Sequence, residues 1–227
     1  MAKATTSPAR RALAPRLDRR QRLNWLRLIC SENVGPATFR ALVNQFGGAE
    51  GALKALPVLS RRGGRVHDIH LYSEEEAEAE LEAAERLDAS LVAIGEHGYP
   101  PALAQVDAPP PLLYVKGRLD LAMAPIVAVV GARNGSAIGQ KFTRALATDP
   151  GLEGFVVASG LARGIDTAAH VAALERGTAA VLAGGIDVVY PPENEDLHYA
   201  IGEKGLLVAS GRRASPRAAR TSRAATG

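Results

Sequence analysis

A short apolar run that opens into a glycine-spaced loop constrains this chain more than any other feature. Residues 126–130 read Ile-Val-Ala-Val-Val, and residues 131–139 read Gly-Ala-Arg-Asn-Gly-Ser-Ala-Ile-Gly. The continuous apolar run predicts a strand that is buried on both faces. The loop then begins a helix, and backbone amides, a helix N-terminus and a guanidinium together suit an anionic oxygen. The sequence therefore predicts a phosphate-type ligand at this loop.

The same strand–loop–helix unit occurs twice more. Predicted strands at 155–158 and 178–182 lead into loops at 159–166 and 183–194, and residues 206–209 are a fourth predicted strand. Short connections of this kind predict parallel strands joined by right-handed crossovers. The three loops would then meet at the carboxyl ends of the strands, where open α/β sheets bind their ligands.

The charge is distributed unevenly along the chain. Its totals are 27 basic and 24 acidic residues, but residues 1–22 contribute seven basic residues and one acidic residue. Residues 210–227 contribute five arginines and no acid, which leaves a net charge of −8 for residues 23–209. An anion site must therefore be a local patch, because the central part of the chain is acidic.

The single cysteine, Cys30, excludes an intramolecular disulfide and a cysteine-based zinc site. It lies in an apolar helical pattern and is expected in the core. This cysteine usage favours a reducing, cytoplasmic location. Apolar runs are of strand length, which is too short to span a membrane.

The chain divides into five predicted segments. Residues 1–22 are a disordered basic arm, with an organelle transit peptide as the less favoured interpretation. Residues 23–60 form a small helical domain of SAM-like or helix-hairpin-helix-like type, although an ordinary helical domain fits the pattern equally well. Residues 61–90 are a linker and a glutamate-rich helix with a solvated face, residues 91–210 are a Rossmann-like domain, and residues 211–227 are a disordered Arg-rich tail.

Several motifs together resemble the DNA-processing protein A family (DprA/Smf). They are Tyr-Pro-Pro-Ala-Leu at 99–103, Pro-Pro-Pro-Leu-Leu-Tyr-Val-Lys-Gly at 109–117, Val-Val-Gly-Ala-Arg at 129–133, Ser-Gly-Leu-Ala-Arg-Gly-Ile-Asp-Thr-Ala-Ala-His at 159–170, and Gly-Ile-Asp-Val-Val-Tyr-Pro-Pro-Glu-Asn at 185–194. The resemblance implies an α/β fold with a mostly parallel Rossmann-like sheet, four main strands plus short leading strands, preceded by a small helical domain. It also implies a cytoplasmic protein that binds single-stranded DNA without enzymatic activity.

The family's known biology extends these expectations. Its members protect incoming DNA in natural transformation, load the RecA recombinase onto it, and form homodimers. The sequence departs from the family pattern after Ser210, where an arginine-rich Phe-Pro-x-Arg-Asn-Arg stretch and further strands are expected. We interpret the departure as a truncation or frameshift, which puts the dimer and the RecA contact in doubt. No cofactor and no metal is expected.

The loops supply the candidate site residues. Those assigned to DNA or phosphate binding are Gly131, Arg133, Ser136, Gly139, Lys141, Ser159, Gly160, Arg163, Gly164, Gly185, Tyr190 and Asn194. Those assigned a structural role beside the site are Asp166, His170 and Asp187. Arg133 leads this set because a guanidinium binds phosphate in a bidentate manner, the alternative being a salt bridge to Asp166 or Asp187.

Other interpretations of these residues are open. The glycines either allow a ligand to approach the backbone or supply turns that need positive φ. Ser136 and Ser159 either bind phosphate or cap helices, and Asp166 is expected as a helix N-cap. Tyr190 either stacks on a base or covers the core. A metal site or a Ser159–His170–Asp triad is disfavoured, because neither a third metal ligand nor a nucleophile elbow is present.

Competing functions use the same fold. A phosphoribohydrolase-like nucleotide enzyme would carry a Pro-Gly-Gly-x-Gly-Thr loop, which is absent. A dinucleotide-dependent oxidoreductase would carry Gly-x-Gly-x-x-Gly, whereas Gly131, Gly135 and Gly139 are four residues apart. A non-functional remnant is the further alternative that the truncation raises.

Overall fold

Four helices form the first part of the computed structural model, which describes residues 16–62, 69–149 and 153–211. They are α1 (Arg19–Cys30), α2 (Pro36–Phe46), α3 (Ala49–Arg62) and α4 (Glu74–Arg86). Helices α1 to α3 share one apolar cluster, in which the rings of Trp25 and Phe39 meet edge to face with centroids 5.0 Å apart. Gly47 ends α2 with a left-handed backbone, as its position after the apolar pattern predicts.

The start of α1 corrects one predicted boundary. Asp18 accepts a hydrogen bond from the Gln21 amide at 2.7 Å, and the Gln21 side chain accepts one from the Asp18 amide at 3.0 Å. This capping box begins the helix at Arg19. Residues 19–22 are therefore helical rather than part of a disordered arm. The rest of that predicted arm up to residue 15, and residues 212–227 of the predicted tail, lie outside the described residues.

The second part is a six-stranded sheet. Its strands are β1 (Ala89–Ala93), β2 (Leu112–Gly117), β3 (Ile126–Ala128), β4 (Val156–Ser159), β5 (Thr178–Leu182) and β6 (Leu206–Ala209), in the order β1-β2-β6-β5-β4-β3. Strands β3 to β6 are parallel, as predicted, and β2 is antiparallel to both β1 and β6. The helices α5 (Ala137–Ala147), α6 (Ile165–Ala173) and α7 (Glu195–Lys204) connect the parallel strands. This is the Rossmann-like α/β fold with a leading helical region.

Alternate residues of β6 show how the sheet separates two cores. Leu207 and Ala209 join a cluster with α1, α4 and α7, whereas Leu206 and Val208 join a cluster with residues of β2 and the Tyr99 loop. The antiparallel β1–β2 pair is covered by helices α1 and α4 on one face and by the Tyr99 loop on the other. A third cluster lies between β3, β4, α5 and α6. The parallel half of the sheet consequently has a packed scaffold beneath its carboxyl ends.

The position of β3 contradicts the prediction of a strand buried on both faces. Strand β3 has three residues and, among the strands that the structure describes, lies at the edge of the sheet and pairs with β4. Val129 is buried, but Ile126 is exposed and Val130 is 78% exposed. The apolar run is therefore half buried, because a strand at a sheet edge lacks a neighbour on one side.

The glutamate-rich helix α4 also differs in one residue from its predicted solvated face. Glu80 is buried and accepts hydrogen bonds from the hydroxyls of Tyr72 at 2.6 Å and Tyr114 at 2.5 Å. Burial and the negative charge of Glu80 raise the pKa of Tyr114. The Tyr114 phenol therefore stays protonated, and the two hydroxyls together satisfy the carboxylate, so Glu80 links the helical region to β2. No helix among the described residues is long and apolar enough to cross a membrane.

Candidate functional site

Three loops meet at the carboxyl ends of the parallel strands, as the sequence predicts. The first loop (129–136) follows β3, the second loop (160–164) follows β4, and the third loop (183–194) follows β5. Strands β3, β4 and β5 are adjacent in the sheet. We call the surface formed by these loops the crevice, since open α/β sheets hold ligands at this edge.

The first and second loops are in direct backbone contact at Gly164. The amide of Ile165 donates to the carbonyl of Ala132 at 3.3 Å. Gly164 has φ +78°, and a Cβ added to it would lie 2.5 Å from the carbonyl oxygens of both Ala132 and Arg133. Only glycine suits this position, because both the backbone conformation and the available space exclude a side chain.

The glycines of the first loop have a role that neither sequence interpretation contains. A Cβ added to Gly131 would lie 2.7 Å from two carbons of the Ile165 side chain, and one added to Gly135 would lie 2.9 Å from a third. Gly139 is the more distant, with 3.6 Å to the same side chain. None of the three has positive φ. The missing side chains of Gly131 and Gly135 therefore leave the space that Ile165 of the second unit occupies, whereas a Cβ on Gly139 would meet Ile165 at ordinary contact distance.

Arg133 is an exposed cation in the first loop. Its side chain forms no hydrogen bond or ion pair with any residue that the structure describes, so the alternative of a salt bridge to Asp166 or Asp187 is not realised. Its carbonyl touches Gly164, which immediately follows Arg163 in the second loop. Lys141 is also exposed, one turn into α5. The side of the crevice formed by the first loop therefore presents positive charge to solvent.

Arg163 has a partner, in contrast to Arg133. Its guanidinium lies 2.8 Å from a carboxylate oxygen of Glu193, and both side chains are more than half exposed. Exposed ion pairs of this kind contribute about 0–1 kcal/mol. An incoming phosphate would therefore compete for Arg163 at little cost, and Glu193 is an acidic residue of the crevice that the sequence assignment omitted.

Asn194 lies inside the protein, although it was assigned to DNA. Its side-chain amide is buried and donates to the Leu161 carbonyl at 2.9 Å and to the Thr167 hydroxyl at 3.0 Å. Leu161 has φ +57°, which is costly for a residue with a Cβ, and its side chain is fully buried. Asn194 thus fixes the second loop to the third in a strained conformation. Gly185 is buried as well.

Ser159, Asp166 and His170 also face inward. The Ser159 hydroxyl donates to the Val129 carbonyl at 2.7 Å and ties the first loop to β4. Asp166 accepts a hydrogen bond from the Ala162 amide at 3.2 Å within the second loop. The predicted N-cap role of Asp166 is wrong, because Gly164 is the N-cap and Asp166 lies in the first turn of α6.

The environment of His170 makes it a structural group. The ring is fully buried, and its Nδ1 lies 2.7 Å from the Thr178 hydroxyl, which donates to the Val157 carbonyl. Burial lowers the pKa of His170 to about 4, although Asp166 and the Ser159 carbonyl act in the opposite direction. A neutral ring follows at pH 7. Neither Ser159 nor His170 has the solvent access or the mutual contact that a catalytic triad needs.

Of the remaining candidate residues, one caps a helix and the others are exposed or half buried. Ser136 is exposed and caps α5, because its hydroxyl accepts a hydrogen bond from the Gly139 amide at 3.1 Å. Gly160 is exposed, and Asp187 is half buried. Tyr190 is 65% exposed at the third loop, where it is free to meet a planar ligand. Within the described ranges, no three His, Cys, Asp or Glu side chains are grouped to hold a metal ion.

The sequence-based assignment includes residues that are exposed at the crevice, and it omits several groups that hold the loops together. Ile165, Leu161 and Glu193 were not assigned, and the inward direction of Asn194 and Ser159 was not foreseen. The regular four-residue spacing of Gly131, Gly135 and Gly139 was the one available signal for a side chain packed against them.

Two protein-family profiles match the chain. The profile of the DNA recombination-mediator protein A family matches residues 90–222, and the profile of the DprA-like N-terminal HHH domain matches residues 19–83. The first match covers the sheet, the crevice and part of the Arg-rich tail. The second covers the four helices that precede the sheet.

Individual relatives agree with the family profiles. The protein Smf of Synechocystis is 32% identical over 202 residues, which are 81% of this chain and 49% of that protein. The DNA processing protein DprA of Streptococcus pneumoniae is 47% identical over 113 residues, which are 48% of this chain and 39% of that protein. The X-ray structure of DprA from Streptococcus pneumoniae superimposes with a TM-score of 0.54 at 37% identity, covering 61% of this chain and 48% of that one. The chain thus spans about half the length of these relatives, or less.

Proposed function

The chain belongs to the DNA recombination-mediator protein A family, and from this premise we propose that it binds single-stranded DNA through the backbone phosphates at the crevice. The observation that carries the proposal is Arg133, an exposed guanidinium without a protein partner among the described residues, in contact through its backbone with the loop that carries Arg163. A guanidinium of this kind is free to make bidentate hydrogen bonds to a phosphate.

Single strands fit the crevice better than duplex DNA because of Tyr190. It projects from the third loop, and an aromatic ring stacks on a base only where that base is not enclosed in a double helix. We accordingly assign phosphate contacts to Arg133, Arg163 and Lys141, and a base contact to Tyr190.

The proposed activity is binding rather than catalysis. The hydroxyl of Ser159 and the ring of His170 are committed to Val129 and Thr178 inside the protein, so they are not placed to attack a substrate. The wider role that the family resemblance implies belongs to the same proposal. In the cytoplasm, the protein would protect incoming DNA in natural transformation, load the RecA recombinase onto it, and act as a homodimer.

The first prediction concerns Arg133. We expect Arg133→Ala in the full chain to weaken binding to a fluorescent oligo-dT by about tenfold or more, since a hydrogen-bonded charge contact contributes about 1.5–3 kcal/mol. Fluorescence anisotropy over a salt series measures the effect. The slope of log K against log salt should fall in magnitude by about 0.7, the value for one phosphate of a single strand.

Arg144→Ala is the matched control for that experiment. Arg144 is an exposed arginine in the last turn of α5, so the variant removes the same charge at the other end of the helix. It should change the affinity by less than twofold. Equal losses in the two variants would mean that general charge, and not the crevice, binds the DNA. An unchanged affinity in both would assign the binding to other basic segments of the chain.

The second prediction concerns Glu193. We expect Glu193→Gln to strengthen oligo-dT binding by about two- to fivefold, because Arg163 would then be released from a carboxylate that competes with phosphate. The variant keeps the size and hydrogen-bonding capacity of the side chain. Glu175→Gln, which breaks the exposed pair with Lys204 away from the crevice, should leave the affinity unchanged. A weaker affinity for Glu193→Gln would show that Glu193 positions Arg163 for DNA.

A further inference from the structure

Ile165 is the side chain through which the first two loops of the crevice are packed together. It is the first residue of α6 and is half buried. Its side-chain carbons fill the space above Gly131 and Gly135 and reach as far as Gly139 at the start of α5. A single side chain therefore packs against two positions of the loop that carries Arg133, Gly131 and Gly135, and reaches the first turn of α5.

The second loop does not depend on this contact for its own conformation. Asn194 donates to the Leu161 carbonyl, the buried Leu161 side chain anchors the loop in the core, and the Asp166 carboxylate accepts from the Ala162 amide. Arg163 therefore lies on a loop that is held in place both by the core and by the third loop. The second loop is thus the better anchored of the two arginine-bearing loops.

The first loop has fewer polar restraints. Ser159 holds its base through the Val129 carbonyl, and Ser136 caps the helix at its other end. Between these points, the Gly135 carbonyl accepts a hydrogen bond from the Gln140 side chain at 2.9 Å, and one backbone hydrogen bond of 3.3 Å joins Ala132 to the second loop. The Gln140 bond is local to the first loop and α5, and the Ala132 bond is long for N–H···O, so apolar packing on Ile165 supplies much of the contact between the two loops.

We propose that Ile165 is a positioning residue for DNA binding: by filling the gap left by Gly131 and Gly135, it holds the Arg133 loop against the Arg163 loop so that both guanidiniums meet neighbouring phosphates of one strand. This inference rests on the proposed function. In this proposal, the glycine spacing of the first loop helps to set the distance between the guanidiniums of Arg133 and Arg163. Ile165 itself does not touch DNA.

The test compares Ile165→Ala and Ile165→Val with Ile94→Ala in the full chain. Ile94 is also half buried, but it packs on the opposite face of the sheet, away from the crevice. Binding to oligo-dT across a salt series is measured together with thermal unfolding of each variant. The expected result is an affinity about tenfold weaker for Ile165→Ala, with a salt slope reduced in magnitude by about 0.7 because one phosphate contact is lost.

The controls separate positioning from general stability. Ile165→Val keeps the branched carbons nearest to Gly131 and should bind within about twofold of the parent. Ile94→Ala should lower the unfolding temperature to a similar extent as Ile165→Ala and leave both the affinity and the salt slope unchanged. Loss of affinity in both alanine variants, or in neither, would overturn the role of Ile165.

Failure of the inference is distinguishable from failure of the proposed function. If Arg133→Ala weakens binding and Ile165→Ala does not, the crevice binds DNA and Ile165 is only a packing residue. If Arg133→Ala has no effect, the proposed function itself fails. A double variant Arg133→Ala/Ile165→Ala should bind no more weakly than Arg133→Ala alone, because a residue that acts through Arg133 has nothing left to position.

Discussion

Replacing Glu96 with alanine is expected to lower the free energy of unfolding by about 3–5 kcal/mol, because it leaves Arg22 buried without its counter-ion. The two groups are 2.8 Å apart, and their side chains are only 13% and 8% exposed. A second oxygen of Glu96 also accepts from Arg22 at 3.0 Å. The pair joins α1 to the loop after β1, so it connects the helical region to the sheet. Urea unfolding followed by circular dichroism measures the loss.

Glu82→Ala is the matched control for this variant. Glu82 pairs with Arg86 at the surface of α4, where both side chains are more than half exposed, so its removal should cost no more than about 0.5 kcal/mol. A cost below about 1 kcal/mol for Glu96→Ala would show that Arg22 finds water or another acceptor when the carboxylate is removed.

Glu96 also makes the free energy of unfolding depend on pH. Burial by itself would raise the pKa of Glu96, but the hydrogen bonds from Arg22 and from the amides of Ala93 and Leu17, with the Arg22 charge, together lower it below its ordinary value. A lowered pKa in the folded state means that the stabilisation is complete above the unfolded-state pKa. It is lost as the pH falls through the folded-state pKa. In Glu96→Ala, this part of the acid sensitivity should be missing.

The fold was largely readable because its signals are local. Each strand–loop–helix unit has its own apolar run, glycine-rich loop and helical stretch, and the short connections between them leave parallel strands as the simplest arrangement. The convergence of the three loops then follows from topology alone. The capping of α5 by Ser136, one of the two roles predicted for that residue, is also local, because its partner Gly139 is three residues away.

The place of a strand within the sheet was not readable from its own residues. The apolar run at 126–130 has the composition of a central strand, yet in the described part of the chain β3 is an edge strand, since β4, β5 and β6 follow it successively on one side. Val130, and Ile138 and Phe142 on α5, are exposed there. Strand order depends on the whole chain, so a local pattern does not determine it.

The sequence also does not predict the direction in which polar side chains of the crevice point. Ser159 and Asn194 have the same residue types as phosphate ligands, but their partners Val129 and Leu161 are 30 and 33 residues away in sequence. The role of a glycine is equally ambiguous in a sequence. Gly131 and Gly135 lack side chains where Ile165, which belongs to the next strand–loop–helix unit, packs against them. Only the folded structure brings Ile165 and these glycines together.

Replacing Gly164 with alanine is expected to lower the free energy of unfolding by about 3 kcal/mol or more. Its backbone has φ +78° and ψ −114°, which costs a residue with a Cβ about 1–3 kcal/mol. The new Cβ would also lie 2.5 Å from two carbonyl oxygens of the first loop, and backbone atoms do not move aside as a flexible side chain does. Urea unfolding of the full chain measures the loss.

Gly154→Ala separates the two causes of that loss. Gly154 also has a positive φ, +83°, but a Cβ added there meets nothing within 4 Å, so this variant reports the cost of a positive φ without the clash. We expect about 1–2 kcal/mol for it, the cost of one residue with a Cβ at positive φ. The additional loss in Gly164→Ala then measures how tightly the loops of Arg133 and Arg163 are held together.

Oligo-dT affinity should fall with that additional loss in Gly164→Ala and stay at the parent value in Gly154→Ala. Equal unfolding free energies for the two variants would mean that the first loop moves away at no cost, in which case the crevice is not the rigid site that two converging arginines require.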